Sequence, residues 1–381
     1  MSSDSLKLLL GKDAVDLAYV EDGDSIFLIS SGNNSRWPSR VLREGKAVVE
    51  IEGQSYERGA ILVSELREKE RILGLMSEKY GKDRTGRWFS PSSKIIEIKG
   101  SPPDPSKTDI YSNWLEAEFD SIANRYDEHI FGNEVNYLLR ERSLILMERV
   151  FSSPSRLLEI GCGTGTETIE LLKRGHHIVA TDVSSKMLDI VSQKAKRIGL
   201  ESQLTTIKLN GEQLESLIPT YGKNAFDGIY STYGAINCIR NLNNIATKLH
   251  SLLNSDGKLV FGIYNRYCAP EIVGYLAKFK PKSAFNRLKN TAPEGESRFC
   301  IDVFAYSMPE VMRMFSSHFK LVYREGVPVI ILPSNFVRYV RMFNGRMDTL
   351  KRLDYWLGRR WPFSMLGDHF LMVMKPLSLD N

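Results

Sequence analysis

The chain has 381 residues, of which 42% are hydrophobic and 25% are charged, and its net charge is +5. This balance is that of an ordinary globular protein, and the length suggests about two domains. We find no run of about 18 apolar residues that would span a membrane, and the small positive excess does not by itself indicate nucleic-acid binding. The first residues lack the basic start and cleavage site of a signal peptide.

The four cysteines are widely separated in the sequence, at Cys162, Cys238, Cys268 and Cys300. None forms a C-x-x-C pair and no histidine cluster accompanies them, so no metal site is predicted. Scattered thiols without a disulfide pattern are typical of the cytoplasm, and we expect a cytoplasmic protein.

Residues 1–100 are predicted to form a small β-rich domain. An Asp-Gly turn and a Glu52-Gly53-Gln54 turn each separate two apolar runs, which indicates two hairpins. Several short strands with one late helix are typical of a small barrel or sandwich. The expected strands are 14–20, 25–30, 46–51, 56–63 and 94–99, and the expected helix is 65–80.

Three prolines within residues 101–106 cannot continue a helix or strand, so a linker is placed at 101–109. Beyond it, helices alternate with short apolar strands, which predicts an α/β domain over 110–376 with a doubly wound, mostly parallel sheet. An insertion of about 265–368 is far longer than this connection requires. Helices are expected at 114–126 and 134–150, and strands at 157–160, 178–181, 226–230, 258–263, 319–325 and 369–374.

The strongest motif is Glu159-Ile160-Gly161-Cys162-Gly163-Thr164-Gly165, between a predicted strand and a predicted helix. Its glycines permit a tight turn and let backbone N–H groups approach a ligand closely. Asp182 ends the next strand, where a carboxylate can accept hydrogen bonds from both hydroxyls of a ribose. The dinucleotide fingerprint requires glycine at the sixth position, which is Thr166 here, so a nicotinamide dehydrogenase is disfavoured.

On these residues, the segment from about 110 to 376 resembles the class I methyltransferases that use S-adenosylmethionine, which have a Rossmann-like fold. Phe119–Asp127 resembles the helix that covers the cofactor in this family, and Asn210-Gly211-Glu212 corresponds to its adenine contact. Glu212 departs from the aspartate that many members have there. The resemblance implies cofactor binding by Glu159, Gly161, Cys162, Gly163, Gly165, Asp182, Val183, Met187, Gly211, Glu212 and Ser231.

The implied reaction is in-line displacement, for which the protein must hold a nucleophile about 3 Å from the methyl group and exclude water. Tyr126, Tyr233 and Asn237 are candidates for the cofactor or acceptor pocket, with packing or capping as the alternative. No His–Asp pair is recognised at the expected place, so no catalytic residue is assigned. The Asn-Pro-Pro-Tyr signature of amino-group methylation is absent, which favours a small-molecule acceptor.

The long insertion is expected to form a helical lid over the acceptor pocket. Ser307 and Glu310 have the spacing of a capping box at a helix start. Residues 336–361 mix bulky apolar and basic side chains, with Asp348 and Asp354 interrupting the basic face. Peripheral contact with an anionic membrane is the alternative function, and an apolar lid would suit a lipid-like acceptor.

Residues 14–99 resemble the split-barrel proteins related to flavin- and deazaflavin-dependent nitroreductases. The resemblance implies that the loop with Ser31, Asn33, Ser35 and Arg36 holds a phosphate of FMN or a deazaflavin. This loop lacks the basic-serine-proline pattern usual in that family, so a barrel used for homodimerisation or substrate presentation is the rival. Three functions therefore stay open: a methyltransferase, a bifunctional redox and methylation enzyme, and a non-catalytic module that binds S-adenosylmethionine.

Overall fold

The computed structural model describes residues 5–11, 13–30, 35–51, 54–88, 93–100, 109–239, 242–288, 292–293 and 302–378. The described residues up to Glu118 form one compact unit, and those from Phe119 onward form a second. The boundary falls inside a long helix and therefore later than the predicted linker, of which residues 101–108 lie outside the described ranges.

The first unit is built on a single antiparallel sheet. Its strands are β1 (Leu6–Leu10), β2 (Asp13–Leu17), β3 (Tyr19–Asp22), β4 (Ser25–Ile29), β5 (Lys46–Ile51), β6 (Gln54–Leu62) and β7 (Ile95–Lys99). Its helices are α1 (Trp37–Glu44), α2 (Leu66–Tyr80) and α3 (Lys82–Trp88). The strand order is β2-β1-β5-β6-β7-β4-β3, and both predicted hairpins, β3–β4 and β5–β6, are confirmed.

The sheet of the first unit curls back on itself. Its two edge strands, β2 and β3, are separated in the chain by Ala18 alone, so the opposite edges of the sheet must approach each other there. The single strand predicted at 14–20 is thus two strands that meet at a corner. Ile72 and Met76 of α2 pack with Phe27 of β4 in the core. The sequence analysis missed β1 and α1, and the split-barrel family itself stays a prediction.

The second unit is an α/β unit. Its helices are α4 (Ile110–Phe131, which begins in the first unit), α5 (Glu134–Val150), α6 (Thr166–Lys173), α7 (Ser185–Arg197), α8 (Ile218–Tyr221), α9 (Ile245–Leu252), α10 (Ala269–Ala277), α11 (Pro281–Ala284), α12 (Met308–Phe315), α13 (Val337–Val340) and α14 (Met347–Gly358). Its strands are β8 (Arg156–Ile160), β9 (His177–Asp182), β10 (Leu204–Lys208), β11 (Phe226–Ser231), β12 (Leu253–Tyr264), β13 (Ala292–Pro293), β14 (Asp302–Val303), β15 (Phe319–Val327) and β16 (His369–Pro376).

The large sheet of this unit has the order β10-β9-β8-β11-β12-β16-β15. Strands β8 to β12 are parallel, whereas β16 runs antiparallel to both β12 and β15. The predicted mostly parallel, doubly wound sheet is therefore confirmed. Ligands of such sheets bind outside the carboxyl ends of the strands, near the point where the strand order reverses. Because β16 runs backwards, its first residue, His369, lies at that same edge, opposite Tyr264 of β12.

The insertion surrounds β15 and contains α10 to α14. Its predicted capping box is confirmed, since the carboxylate of Glu310 accepts the N–H of Ser307 at 2.7 Å. The expectation for Asp354 is wrong: it does not interrupt an exposed basic face, because it is buried and its Oδ1 accepts three consecutive backbone N–H groups, from residues 329 to 331. Within the described ranges, no helix has the length and apolar character needed to cross a membrane.

Candidate functional site

The glycine loop that follows β8 has a backbone that other residues adopt only with strain. Gly161, Gly163 and Gly165 have φ values of +72°, +53° and +79°. A Cβ atom on Gly161 would lie 2.5 Å from Cβ of Ala235, and one on Gly165 would lie 2.1 Å from Cγ2 of Val191. The loop therefore needs glycine at both of these positions for space as well as for conformation.

Asp182, the last residue of β9, holds this loop in place. Its Oδ2 accepts the N–H of Gly163 at 2.8 Å, and its Oδ1 accepts the N–H of Ser184 at 2.9 Å. Each carboxylate oxygen keeps a further lone pair, which suits it to a pair of ribose hydroxyls. Burial raises the pKa of Asp182 to about 6, against the opposing effect of these N–H donors. The carboxylate is thus fixed in the place that the sequence analysis assigned to it.

Helix α4 is joined to the loop and to the end of β9 by side-chain contacts. Asp127 accepts the hydroxyl of Thr164 at 2.5 Å, and Asp120 accepts the hydroxyl of Ser184 at 2.5 Å. The ring of Tyr126 lies beside the loop, since a Cβ on Gly163 would be 3.5 Å from its Cε1. These contacts place α4 against the glycine loop and the end of β9, as expected of a helix that covers the cofactor.

The segment expected to contact adenine lies beside Asp182. The N–H of Leu209 donates to the carbonyl oxygen of Asp182 at 2.9 Å, and the Asn210 side chain accepts the N–H of Glu212 at 3.0 Å. A Cβ on Gly211 would lie 2.6 Å from Cδ1 of Ile239, so a larger residue here would have to displace the end of that side chain. Directly after Asp182 in the chain, Val183 is half-buried, and Met187 is buried in the first turn of α7.

Three of the residues predicted to bind the cofactor are engaged inside the protein. Glu159 is buried, and its Oε2 accepts the hydroxyls of Thr168 and Tyr230. The hydroxyl of Ser231 donates to the carbonyl oxygen of Ile160 at 2.8 Å. Cys162 is buried, which raises the pKa of its thiol well above the ordinary value. The side chains of all three residues are occupied within the protein, and cofactor contact by these side chains stays a prediction.

The end of β11 leads into a second group of polar and aromatic side chains. Tyr233 has a φ of +55°, a left-handed conformation that is strained for a bulky residue. The guanidinium carbon of Arg140 lies 4.2 Å from the centre of the Tyr233 ring, and Arg140 forms a buried ion pair with Glu167. Nε of Arg140 and Oε1 of Glu167 have no hydrogen-bond partner among the described residues. Buried polar atoms of this kind are unusual in folded proteins.

A His–Asp pair lies at the same edge, although none was recognised in the sequence. The ring of His369 stacks on Tyr233 with 5.8 Å between centroids and meets Tyr264 edge-on at 5.4 Å. Its Nδ1 lies 3.1 Å from Oδ2 of Asp368, and its Nε2 is buried without a hydrogen-bond partner in the described part of the chain. Asp368 and His369 are adjacent in the sequence, but only the antiparallel direction of β16 places them at the carboxyl edge of the parallel strands.

Asp368 is in turn held by Arg287, which also pairs with Glu271. Although burial opposes its ionisation, Arg287 and His369 keep the pKa of Asp368 below its usual range. The ionised Asp368 accepts a hydrogen bond from the N–H at Nδ1 of His369, which leaves Nε2 of the ring as the acceptor. Cys268, Glu271 and Asp368 are spaced as metal ligands, but the guanidinium of Arg287 already pairs with both carboxylates.

Asn237 has a structural role in this arrangement. Its side chain donates to the carbonyl oxygens of Tyr264 and Phe304 and accepts the N–H of Tyr264, at 2.6 to 3.0 Å. The packing alternative for Asn237 is therefore favoured over contact with the acceptor. In the loop of the first unit, Ser31 and Asn33 lie outside the described residues, and Arg36 precedes α1 without capping it through its side chain.

Part of the second unit is similar to known methyltransferase domains. Residues 157–257, which contain the glycine loop and Asp182, match the family model described as "Methyltransferase domain". The chain is 32% identical over 146 residues to proteins of Bacillus thuringiensis and Bacillus cereus that are named "Uncharacterized methyltransferase". These alignments cover 38% of this chain and 64% of each relative, so the chain spans less than two thirds of their length.

Solved methyltransferase structures are also similar to the chain. A geranyl diphosphate C-methyltransferase of Streptomyces coelicolor is 13% identical and has a TM-score of 0.43, with coverage of 66% of this chain and 86% of that one. A 1,6-didemethyltoxoflavin-N1-methyltransferase of Burkholderia thailandensis is 16% identical and has a TM-score of 0.44, with coverage of 74% and 94%.

Proposed function

We propose that this protein is a methyltransferase that transfers the methyl group of S-adenosylmethionine to a small-molecule acceptor. The observation that carries the proposal is the hydrogen bond that fixes the glycine loop to Asp182. The loop has no room for side chains at Gly161 and Gly165, and Asp182 fixes it through Gly163. The family match over residues 157–257 supports the same assignment.

The residues present fit this cofactor. Asp182 would hold the ribose, Gly211 and Glu212 would border the adenine, and the loop from Gly161 to Gly165 would face the amino-acid part. When bound, S-adenosylmethionine supplies a methyl group on a sulfonium sulfur, which would leave as a neutral thioether, a good leaving group. The task of the chain is therefore to orient an acceptor, exclude water and, for an acceptor that bears a proton, remove that proton.

We assign the proton-accepting step to His369. Nε2 of its ring would accept the proton that leaves the acceptor's O–H, N–H or activated C–H, while the acceptor atom bonds to the methyl carbon and the bond from that carbon to sulfur breaks. Asp368 orients the ring and stabilises the imidazolium that results. The stacked rings of Tyr233 and His369 border the place that an acceptor would occupy at the end of β11. This arrangement favours an enzyme over a module that only binds S-adenosylmethionine.

The test is release of S-adenosylhomocysteine from S-adenosylmethionine by the full-length protein with acceptor panels of phenols, amines, activated carbon acids and a lipid extract. We expect at least one class to accelerate release, and the variant Asp182→Ala to abolish this acceleration. Glu201→Ala, an exposed residue of the same unit, is the matched control. Binding of S-adenosylmethionine without turnover for any class would favour the non-catalytic module instead.

The role of the N-terminal unit is a separate proposal. Its curled antiparallel sheet is compatible with a split barrel, but half of the expected phosphate loop lies outside the described residues. The bifunctional alternative is tested by the visible absorbance of the purified protein. It is also tested by whether the protein retains added FMN after free FMN is removed. A colourless protein that binds no FMN leaves dimerisation or substrate presentation as the role of this unit.

A further inference from the structure

A short segment of the insertion exposes a group of large apolar side chains. Val273 and Leu276 lie one turn apart on the outer face of α10, whose inner face packs Gly274 against Phe336. Beyond the helix, Phe279 is 93% exposed. The exposed apolar side chains continue after α11, and we call the set the Phe279 surface: Val273, Leu276, Phe279, Phe285 and Leu288. Contiguous exposed apolar groups of this kind mark interaction sites.

The backbone holds Phe279 outward. Its φ is +55°, and its N–H donates to the carbonyl oxygen of Leu276 at 3.0 Å, while the N–H of Lys280 donates to that of Tyr275 at 2.9 Å. These bonds close the end of α10. A left-handed conformation is costly for phenylalanine, and no burial within the described chain compensates for it. The residue therefore forms an apolar tip at the end of a helix.

The charged residues near Phe279 in the sequence are all basic. From 272 to 288 the chain has no acidic residue, and its basic residues are Lys278, Lys280, Lys282 and Arg287. Arg287 is buried and paired, whereas Lys280 and Lys282 are exposed and form no ion pair with a described residue. The ammonium of Lys278 lies 4.2 Å from the centre of the Phe336 ring. An exposed apolar side chain flanked by lysines is complementary to a partner that has an apolar layer beneath a negatively charged surface.

We propose that the Phe279 surface docks the protein on an anionic lipid bilayer. Phe279 and Leu276 would enter the boundary between headgroups and acyl chains, and Lys280 and Lys282 would contact the anionic headgroups. A second copy of the same surface is a poorer partner because the lysines would face each other. This assignment moves membrane contact from residues 336–361, where the sequence indicated it, to residues 273–288. It does not depend on methyl transfer.

The test is sedimentation of the full-length protein with vesicles of mixed phosphatidylglycerol and phosphatidylcholine, and with vesicles of phosphatidylcholine alone. We expect binding to the anionic vesicles that falls at high salt, and little binding to the neutral ones. Phe279→Ser should weaken binding roughly tenfold or more, from the lost burial of the ring. The double variant Lys280→Glu/Lys282→Glu should weaken it by roughly 25-fold or more, on the scale of one headgroup attraction per lysine.

Matched controls elsewhere on the second unit are Ile198→Ser for the apolar change and Lys196→Glu/Lys223→Glu for the charge change, since all three residues are exposed. The controls should bind vesicles like the wild type. The proposal is overturned if the wild type ignores anionic vesicles, or if both surface variants bind as well as the controls do. It is also overturned if Phe279→Ser changes the oligomeric state and leaves vesicle binding intact, because the surface would then be a protein interface.

Discussion

The N–H of Gly163 donates a hydrogen bond of 2.8 Å to Oδ2 of Asp182, which joins the loop after β8 to the end of β9. The same carboxylate accepts the N–H of Ser184 through its other oxygen, so one side chain fixes both the glycine loop and the start of α7. The N-terminal ends of α6 and α7 are thereby set around one carboxylate. Changes to either partner should therefore affect cofactor binding before they affect any chemical step.

The first prediction concerns the space at the glycines. Gly165→Ala places its Cβ against Val191 and at a positive φ, and should lower the free energy of unfolding by about 2–4 kcal/mol and prevent tight binding of S-adenosylmethionine. Gly163→Ala meets only an ordinary contact with Tyr126 and should cost about 1 kcal/mol. Urea unfolding and calorimetry measure both effects. Equal effects of the two variants would contradict the geometry of the loop.

The second prediction is a pH dependence of cofactor affinity. Burial raises the pKa of Asp182 to about 6, so the free protein loses this acceptor charge as the pH falls below that value. Affinity for S-adenosylmethionine should rise between pH 5 and pH 7, by up to roughly tenfold per pH unit below the pKa. Asp182→Asn should bind at least about tenfold more weakly at pH 7.5 and show a flatter profile. A profile identical to that of the wild type would remove Asp182 from the ribose site.

The sequence was sufficient to place the residues proposed for the cofactor and insufficient to bring together those proposed for the acceptor. Gly161 to Gly165 and Asp182 lie at the ends of consecutive strands, so local pattern and strand direction placed them correctly. His369 and Arg140 come from distant parts of the chain, and only the antiparallel direction of β16 and the packing of α5 bring them near Tyr233. Asp354 was expected to be exposed because charged residues in a basic helix usually are. In the structure it is buried, and its carboxylate accepts the backbone N–H groups of residues 329 to 331.

The third prediction separates chemistry from binding at His369. His369→Asn should reduce the rate of methyl transfer by about 10²- to 10⁴-fold, while affinity for S-adenosylmethionine changes less than about threefold. NMR of labelled histidine gives a second readout, with the proton of the neutral ring expected on Nδ1. A proton found on Nε2 would contradict the assigned role.

The fourth prediction concerns the buried charge cluster. Arg287→Met leaves the carboxylates of Glu271 and Asp368 buried without their cation and should lower the free energy of unfolding by about 3–5 kcal/mol. Arg174→Met removes an exposed ion pair with Glu148 and should cost no more than about 1 kcal/mol. Denaturant unfolding of the second unit measures both. Similar losses in the two variants would show that the cluster is not buried in solution.

The fifth prediction follows from Glu159. Burial, with a contribution from Glu167, raises its pKa to about 8, so the folded protein holds a proton there that the unfolded chain releases above its ordinary pKa of 4.5. Its stability should therefore fall as the pH rises from about 4.5 to about 8 and level off above that, with about 1 kcal/mol of the loss between pH 7 and pH 9. Glu159→Gln should lose this dependence, and the exposed control Glu201→Gln should keep it. A Glu159→Gln protein with the full loss would place the titration elsewhere.

The central claim is tested most directly by calorimetric titration of the full-length protein with S-adenosylmethionine, with NADH and FMN titrated in parallel. We predict one site of micromolar affinity for S-adenosylmethionine on the second unit, weakened in Asp182→Ala and unchanged in Glu201→Ala. Binding of FMN in addition would add a redox role for the first unit and leave the claim intact. Binding of NADH with no binding of S-adenosylmethionine would contradict it, because the loop held by Asp182 would then serve a dinucleotide.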